Sequence, residues 1–135
     1  MTRVDRARYL GILAACLLAA SGFAPMITVP LRAGTHWQPF GPEVRLLCIA
    51  LAVCAALASL GRAFWIAAYV GAFGFANGLL LLGITYRGLI NEHVQAWAHV
   101  GWGFVPLLSA GLALVALPFW VRAERVDRLN GQGHR

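Results

Sequence analysis

The stretch "AAYVGAFGFANGLLLLG", residues 67–83, decides the fold, because it combines a complete lack of charge with several small residues. It lies in an apolar run from Ala63 to Tyr86, and a helix needs roughly 20 apolar residues to cross about 30 Å of hydrocarbon. Small residues spaced four apart let helices in lipid approach closely. The stretch therefore predicts a transmembrane helix that packs against another helix of this chain or of a second protein through four small residues: Ala67, Gly71, Gly74 and Gly78.

Three further runs have the same apolar character, and the chain as a whole is 60% hydrophobic and 12% charged. A soluble domain of 135 residues needs more polar surface than this. We therefore expect an all-α membrane protein, a single-domain bundle of four transmembrane helices. The expected spans are residues 9–29, 44–60, 63–86 and 101–121, with outer connections at 30–43 and 87–100 and a tail at 122–135.

The two ends of the chain need separate interpretation. Residues 1–25 have the basic start and apolar run of a signal peptide, but the run continues to Val29, which favours a retained first span. The tail alternates arginines with Glu124 and Asp127, and we expect it to form a helix on the membrane surface that Gly131 ends. This mixture of charges does not form the contiguous basic surface that nucleic-acid binding requires.

The arginines predict the orientation, because cytoplasmic flanks of inserted spans retain positive charge. Arg32, Arg45 and Arg87 fall at the predicted outer side, and the other arginines fall at the opposite side. We therefore expect a protein of the bacterial inner membrane with both termini in the cytoplasm. The formal net charge of +6 then lies mainly where anionic lipids attract arginine.

Three polar side chains are expected at one depth, about 12 Å below the outer edge of their spans: Ser21, Asn77 and Ser109. Asn77 is the strongest of them, and an amide surrounded by hydrocarbon needs a hydrogen-bond partner. We expect either one interhelical hydrogen bond or a polar layer able to coordinate a ligand.

The outer segment "NEHVQAWAHVGWGF", residues 91–104, contains Glu92, His93 and His99, and His36 lies in the other outer connection. Imidazoles and a carboxylate at one interface suit copper, zinc or haem iron, and a quinone head group is another candidate ligand. On a regular helix, however, His93 and His99 point in different directions, so the spacing is not that of a helical metal site. The alternative is an amphipathic helix in the outer interface without any ligand.

A weak internal similarity suggests two parallel helical hairpins. The second and fourth spans both read LLxxxLAxxA after an outer connection that carries Arg, His and Trp. Because Leu and Ala are abundant in all membrane spans, chance agreement is the better explanation of this similarity.

The function is predicted from the kinds of residue inside the spans. No Asp, Glu, Lys, Arg or His falls in the core of a predicted span, whereas proton-coupled carriers and ion pathways usually need one there. This favours a non-enzymatic accessory or assembly subunit without a cofactor, which packs by its third-span glycines against a respiratory, photosynthetic or transport complex, or against itself. The second hypothesis is a metal-, haem- or quinone-binding protein that uses the outer histidines. The third is a small oligomeric transporter or channel.

Overall fold

A computed structural model describes residues 2–31, 34–91 and 99–132 of the chain. Four helices make up most of it, which confirms the helical class. They are α1 (Arg3–Ser21), α2 (Pro42–Leu60), α3 (Phe64–Asn91) and α4 (Phe104–Gln132). Three short strands form an antiparallel sheet in the order β2-β1-β3, with β1 at Pro25–Leu31, β2 at Gly34–Pro39 and β3 at His99–Val100.

Each helix packs against two others. α1 contacts α2 and α4, and α3 also contacts α2 and α4. The shared core is filled by aliphatic side chains such as Leu18, Ala55 and Leu114. Within the described residues, three helices are long and apolar enough to cross a membrane, namely α2, α3 and the Phe104–Ala123 part of α4.

The first span differs from its prediction. α1 ends at Ser21 and not at Val29, because the chain turns at Gly22 and then continues as β1. Pro25 has no N–H for a helical hydrogen bond, and the β-branched residues after it favour a strand. The uncharged part of α1, from Tyr9 to Ser21, is therefore only about 20 Å long.

The connections also differ from the prediction. The segment 30–43, expected as a loop, belongs largely to the β1–β2 hairpin, and α2 already begins at Pro42. α3 extends to Asn91, past the predicted Tyr86, and α4 begins at Phe104 instead of Gly101. Residues 122–132 of the predicted tail are helical and continuous with α4, and this helix includes Gly131.

The two helical pairs, α1 with α2 and α3 with α4, differ in length and connection, which weakens the idea of an internal repeat. α1 has 19 residues and α3 has 28, and the hairpin after α1 has no equivalent among the described residues after α3. The suggested similarity of the second and fourth spans therefore has no counterpart in the way the two pairs are built.

A tight turn joins α2 to α3. Arg62 adopts a positive φ of 59°, and the Ala63 N–H donates to the Ala58 carbonyl at 2.8 Å. This turn lies at the same end of the bundle as the start of α1, and Trp65 just beyond it meets Phe119 of α4 edge to face, with ring centroids 5.5 Å apart. The sheet lies at the other end.

Candidate functional site

The four small residues predicted on the third span are all buried inside the bundle. A Cβ at Gly71 would lie 2.5 Å from the Cβ of Leu114 and 2.7 Å from the carbonyl oxygen of Gly111, both on α4. Gly78 also faces α4, and Gly74 faces the side chains of Leu51 and Leu18 at ordinary distances. The close approaches at Gly71 and Gly78 are thus made with α4 of the same chain. Ala67, Gly71, Gly74 and Gly78 therefore pack within this chain, which is the first of the two alternatives that the sequence left open.

The predicted polar layer does not form. Ser21 is buried and donates to the Leu18 carbonyl at 2.6 Å, and Asn77 donates to the Phe73 carbonyl at 2.9 Å. Ser109 is exposed and donates to the Pro106 carbonyl at 3.2 Å. Each of these bonds stays within one helix. Ser21 also approaches Cys48 of α2, with 4.0 Å between Oγ and Sγ, but neither Asn77 nor Ser109 takes part in this contact.

A buried hydroxyl that sequence reasoning missed lies between α1 and α2. Ser59 is fully buried, and its Oγ has no hydrogen-bond partner among the described residues. It faces Gly11 so closely that a Cβ at Gly11 would overlap the serine side chain. The sequence offered no signal for this pair beyond the small size of both residues.

We expect Ser59→Ala to raise the free energy of unfolding by about 1 kcal/mol, because it removes a buried hydroxyl that lacks a partner. Ser21→Ala is the matched control, since Ser21 is equally buried but its hydroxyl is bonded, and this variant should lose stability. Unfolding in detergent followed by circular dichroism measures both. A change of the unfolding free energy in the same direction for both variants would contradict the assignment of Ser59 as a buried hydroxyl without a partner.

The start of α4 is tied to β1 by backbone contacts through the sequence Gly-Trp-Gly. The Gly101 N–H donates to the Met26 carbonyl at 2.6 Å, and the Gly103 N–H donates to the Pro25 carbonyl at 3.0 Å. A Cβ at Gly101 would overlap the Pro25 carbonyl oxygen, so a larger residue does not fit there. The last part of the outer segment is therefore a structural joint between the sheet and α4.

Aromatic and arginine side chains pack beneath this joint. Phe40 is fully buried and meets Phe104 edge to face, with ring centroids 5.1 Å apart. Arg45 donates from Nε to the Phe40 carbonyl at 2.9 Å, and its guanidinium lies 5.8 Å from the ring centroid of Phe23. Arg45 thus joins the first turn of α2 to the residue after β2 and to the turn after α1.

The register of the sheet separates two of the predicted ligands. Thr28 of β1 pairs with His99, whereas the next residue, Val29, pairs with His36. Successive residues of a strand lie on opposite faces, so His36 and His99 belong to opposite faces of the sheet. Glu92 and His93 lie outside the described residues. The described residues contain no group of three His, Cys, Asp or Glu able to hold a metal ion.

The opposite end of the bundle carries a polar recess. Its volume is about 410 Å³, and it is lined by Asp5, Arg8, Tyr9, Ile12 and Leu60. Hydrogen bonds from the Thr2 hydroxyl and the Thr2 N–H lower the pKa of Asp5, at 2.6 and 3.2 Å respectively. The Asp5 N–H donates back to the Thr2 hydroxyl, which closes a capping box at the start of α1.

An apolar groove runs along the outside of the bundle between α1 and α4, with a volume of about 420 Å³. One wall is formed by Leu10, Leu13 and Leu17 of α1. The α4 side consists mainly of small residues, and those that line it are Ser109, Ala110, Ala113 and Ala116, with Leu117 and Trp120 at the end near the α2–α3 turn. We call this feature the α1–α4 groove.

Comparison with known proteins adds no assignment. A scan against protein-family models, a search of curated proteins and a search of solved structures each find no match to this chain.

Proposed function

We propose that this chain is a small non-enzymatic membrane subunit that binds a transmembrane helix of a larger complex in the α1–α4 groove. The observation that carries the proposal is the lining of that groove. Ala113 and Ala116 present small, exposed side chains along α4, and small residues let a neighbouring helix backbone approach closely. The leucines of α1 supply apolar contacts along one wall of the groove.

This location differs from the one that the sequence favoured. Gly71, Gly74 and Gly78 face other helices of this chain, so we place the surface for a partner elsewhere on the bundle. Among the described residues the buried polar side chains are Ser21, Ser59 and Thr85, none of which ionises in the physiological range. These uncharged side chains favour a packing role over catalysis or ion transport. The class of partner that we propose is a respiratory, photosynthetic or transport assembly.

The proposal includes four membrane crossings, with both termini in the cytoplasm of a bacterial cell. α1 is too charged at its start to qualify as a membrane span by composition. It nevertheless packs against two helices that are long and apolar enough to cross a membrane. Its arginines can extend along the membrane surface while the apolar part stays in lipid. The backbone groups at the start of β1 are paired with Gly101 and Gly103, as a segment at the hydrocarbon boundary requires.

The test is purification from native membranes in mild detergent through a tag after residue 135. We expect larger membrane subunits to co-purify in fixed proportion with the natural chain. The amount that co-purifies with the Ala113→Phe variant should be at least about tenfold lower, because the phenylalanine fills the groove. Leu112→Phe is the matched control, because Leu112 is exposed on α4 but does not line the groove. Protease added to intact spheroplasts should leave the tag uncut.

Two results would contradict the proposal. One is a natural chain that purifies without other subunits, or with subunits that both variants retain equally. The other is a Soret band or stoichiometric copper in the purified protein, which would favour the cofactor-binding hypothesis instead. A tag cut from outside would overturn the orientation alone.

A further inference from the structure

Asn77 lies near the middle of α3 and is only half-buried. Its Nδ2 donates to the carbonyl of Phe73 one turn earlier in the same helix. The other amide hydrogen and the Oδ1 acceptor have no hydrogen-bond partner among the described residues. In hydrocarbon such groups are strongly unfavourable, because lipid tails offer neither donors nor acceptors. The amide therefore needs a partner beyond the described residues.

The residues around Asn77 form a seam with the spacing of a coiled coil. Starting at Ile66, apolar residues and Asn77 recur at alternate steps of four and three, which is the heptad pattern of two helices that pack side by side. Most of these side chains are exposed, with Phe73 at 53%, Leu80 at 62% and Ile84 at 58%. We call this set the α3 seam, and its members are Ile66, Val70, Phe73, Asn77, Leu80 and Ile84.

We propose that two copies of this chain pair in the membrane along their α3 seams, with Asn77 of one copy hydrogen-bonded to Asn77 of the other. An amide is both donor and acceptor, so two asparagines related by a two-fold axis satisfy each other without another residue type. Two copies inserted in the same direction bring their α3 helices together in parallel. In parallel two-stranded coils, a single Asn among β-branched residues at one heptad position is a known specificity device, and here Val70 and Ile84 occupy the equivalent positions.

The rest of the bundle leaves most of this seam free, and of its apolar members Val70 is the one partly buried against the core. Gly71 and Gly78 face α4, and they lie about 100–120° around the helix from Asn77. The α1–α4 groove is lined by residues of α1 and α4, and none of the seam residues belongs to that lining. Pairing along the seam therefore does not depend on the proposed function, and either proposal can fail without the other.

The test is disulfide cross-linking of the full chain in its membrane. The exposed Cys16 and Cys54 are replaced by alanine, and the buried Cys48 is kept. Ile84→Cys then places a thiol on the seam one heptad beyond Asn77, and oxidation should link the copies into a dimer. Adding Asn77→Leu should reduce the dimer at least about tenfold, because it removes hydrogen bonds made in hydrocarbon. Asn77→Gln, which keeps an amide, should retain more dimer than Asn77→Leu.

Leu79→Cys is the control for random collision. Leu79 is exposed on α3 at a depth close to that of Asn77, but it lies about 200° away around the helix. Equal cross-linking of Ile84→Cys and Leu79→Cys would overturn the proposal, as would full cross-linking in the presence of Asn77→Leu. Helical circular dichroism of Asn77→Leu distinguishes lost pairing from lost folding, because an intact bundle that no longer cross-links supports the seam.

Discussion

A Gly71→Val variant is expected to lose about 3 kcal/mol of unfolding free energy, because α3 and α4 cross with their backbones in contact at this residue. An added Cβ would lie 2.7 Å from the carbonyl oxygen of Gly111 and 3.3 Å from the backbone nitrogen of Val115. Neither backbone atom can move without shifting α4 as a whole. The contact is reciprocal, since a Cβ at Gly111 would lie 2.9 Å from the Gly71 carbonyl oxygen.

Unfolding in detergent, followed by circular dichroism, measures this loss. Gly83→Ala is the matched control, because Gly83 lies on the same helix and a Cβ there meets no atom within 4 Å. Alanine has the higher helix propensity, so this control should be neutral or stabilising by up to about 1 kcal/mol. A Gly71→Val protein as stable as the control would show that the two helices do not cross at Gly71.

A Gly101→Ala variant is expected to lose about 2 kcal/mol of unfolding free energy, because the new Cβ would displace β1 from the start of α4. It would lie 2.6 Å from the carbonyl carbon of Pro25 and 2.7 Å from that of Met26. Both are backbone atoms of a strand that is paired on its two sides. The hydrogen bond from Gly101 to Met26 should break, and the effect should remain local to the sheet.

Amide hydrogen exchange distinguishes this local effect from general loss of stability. Exchange should quicken at residue 101 and in β1 of the variant, while the middle of α3 stays protected. Gly41→Ala serves as the control, since Gly41 is also at the sheet end of the bundle but a Cβ there meets open space. Unchanged exchange at residue 101 would contradict the predicted joint.

Hydropathy predicts the helices well but does not predict the strand after α1. The residues Met26, Ile27 and Val29 are as apolar as a transmembrane helix, so a count of apolar residues carries the first span to Val29. Pro25 and the cluster of β-branched residues are the local signals for a strand, and they outweigh hydropathy here. Apolar length indicates where a chain can enter lipid, but it does not specify the backbone conformation there.

The candidate site is less predictable because it depends on which elements meet. The small-residue spacing of the third span predicts close packing, and Gly71 and Gly78 do lie close to α4, but spacing within one helix cannot identify the neighbour. A helical wheel does not apply to His36 and His99, because both residues are on strands. The strand register determines the face of the sheet to which each of them belongs. Ser59 and Gly11 are far apart in sequence, and their contact depends on the antiparallel packing of α1 and α2.

The shortness of α1 has a consequence for the surrounding lipid. Its uncharged part is about 20 Å long, which is about 10 Å less than the hydrocarbon thickness of an ordinary bilayer. In the proposed arrangement of four crossings, lipids along this side would have to compress or tilt their acyl chains, at a cost of a fraction of a kcal/mol for each ångström of mismatch. A helix from another protein seated beside α1 would take the place of those deformed lipids, and so hydrophobic mismatch itself would draw a companion to this side of the bundle.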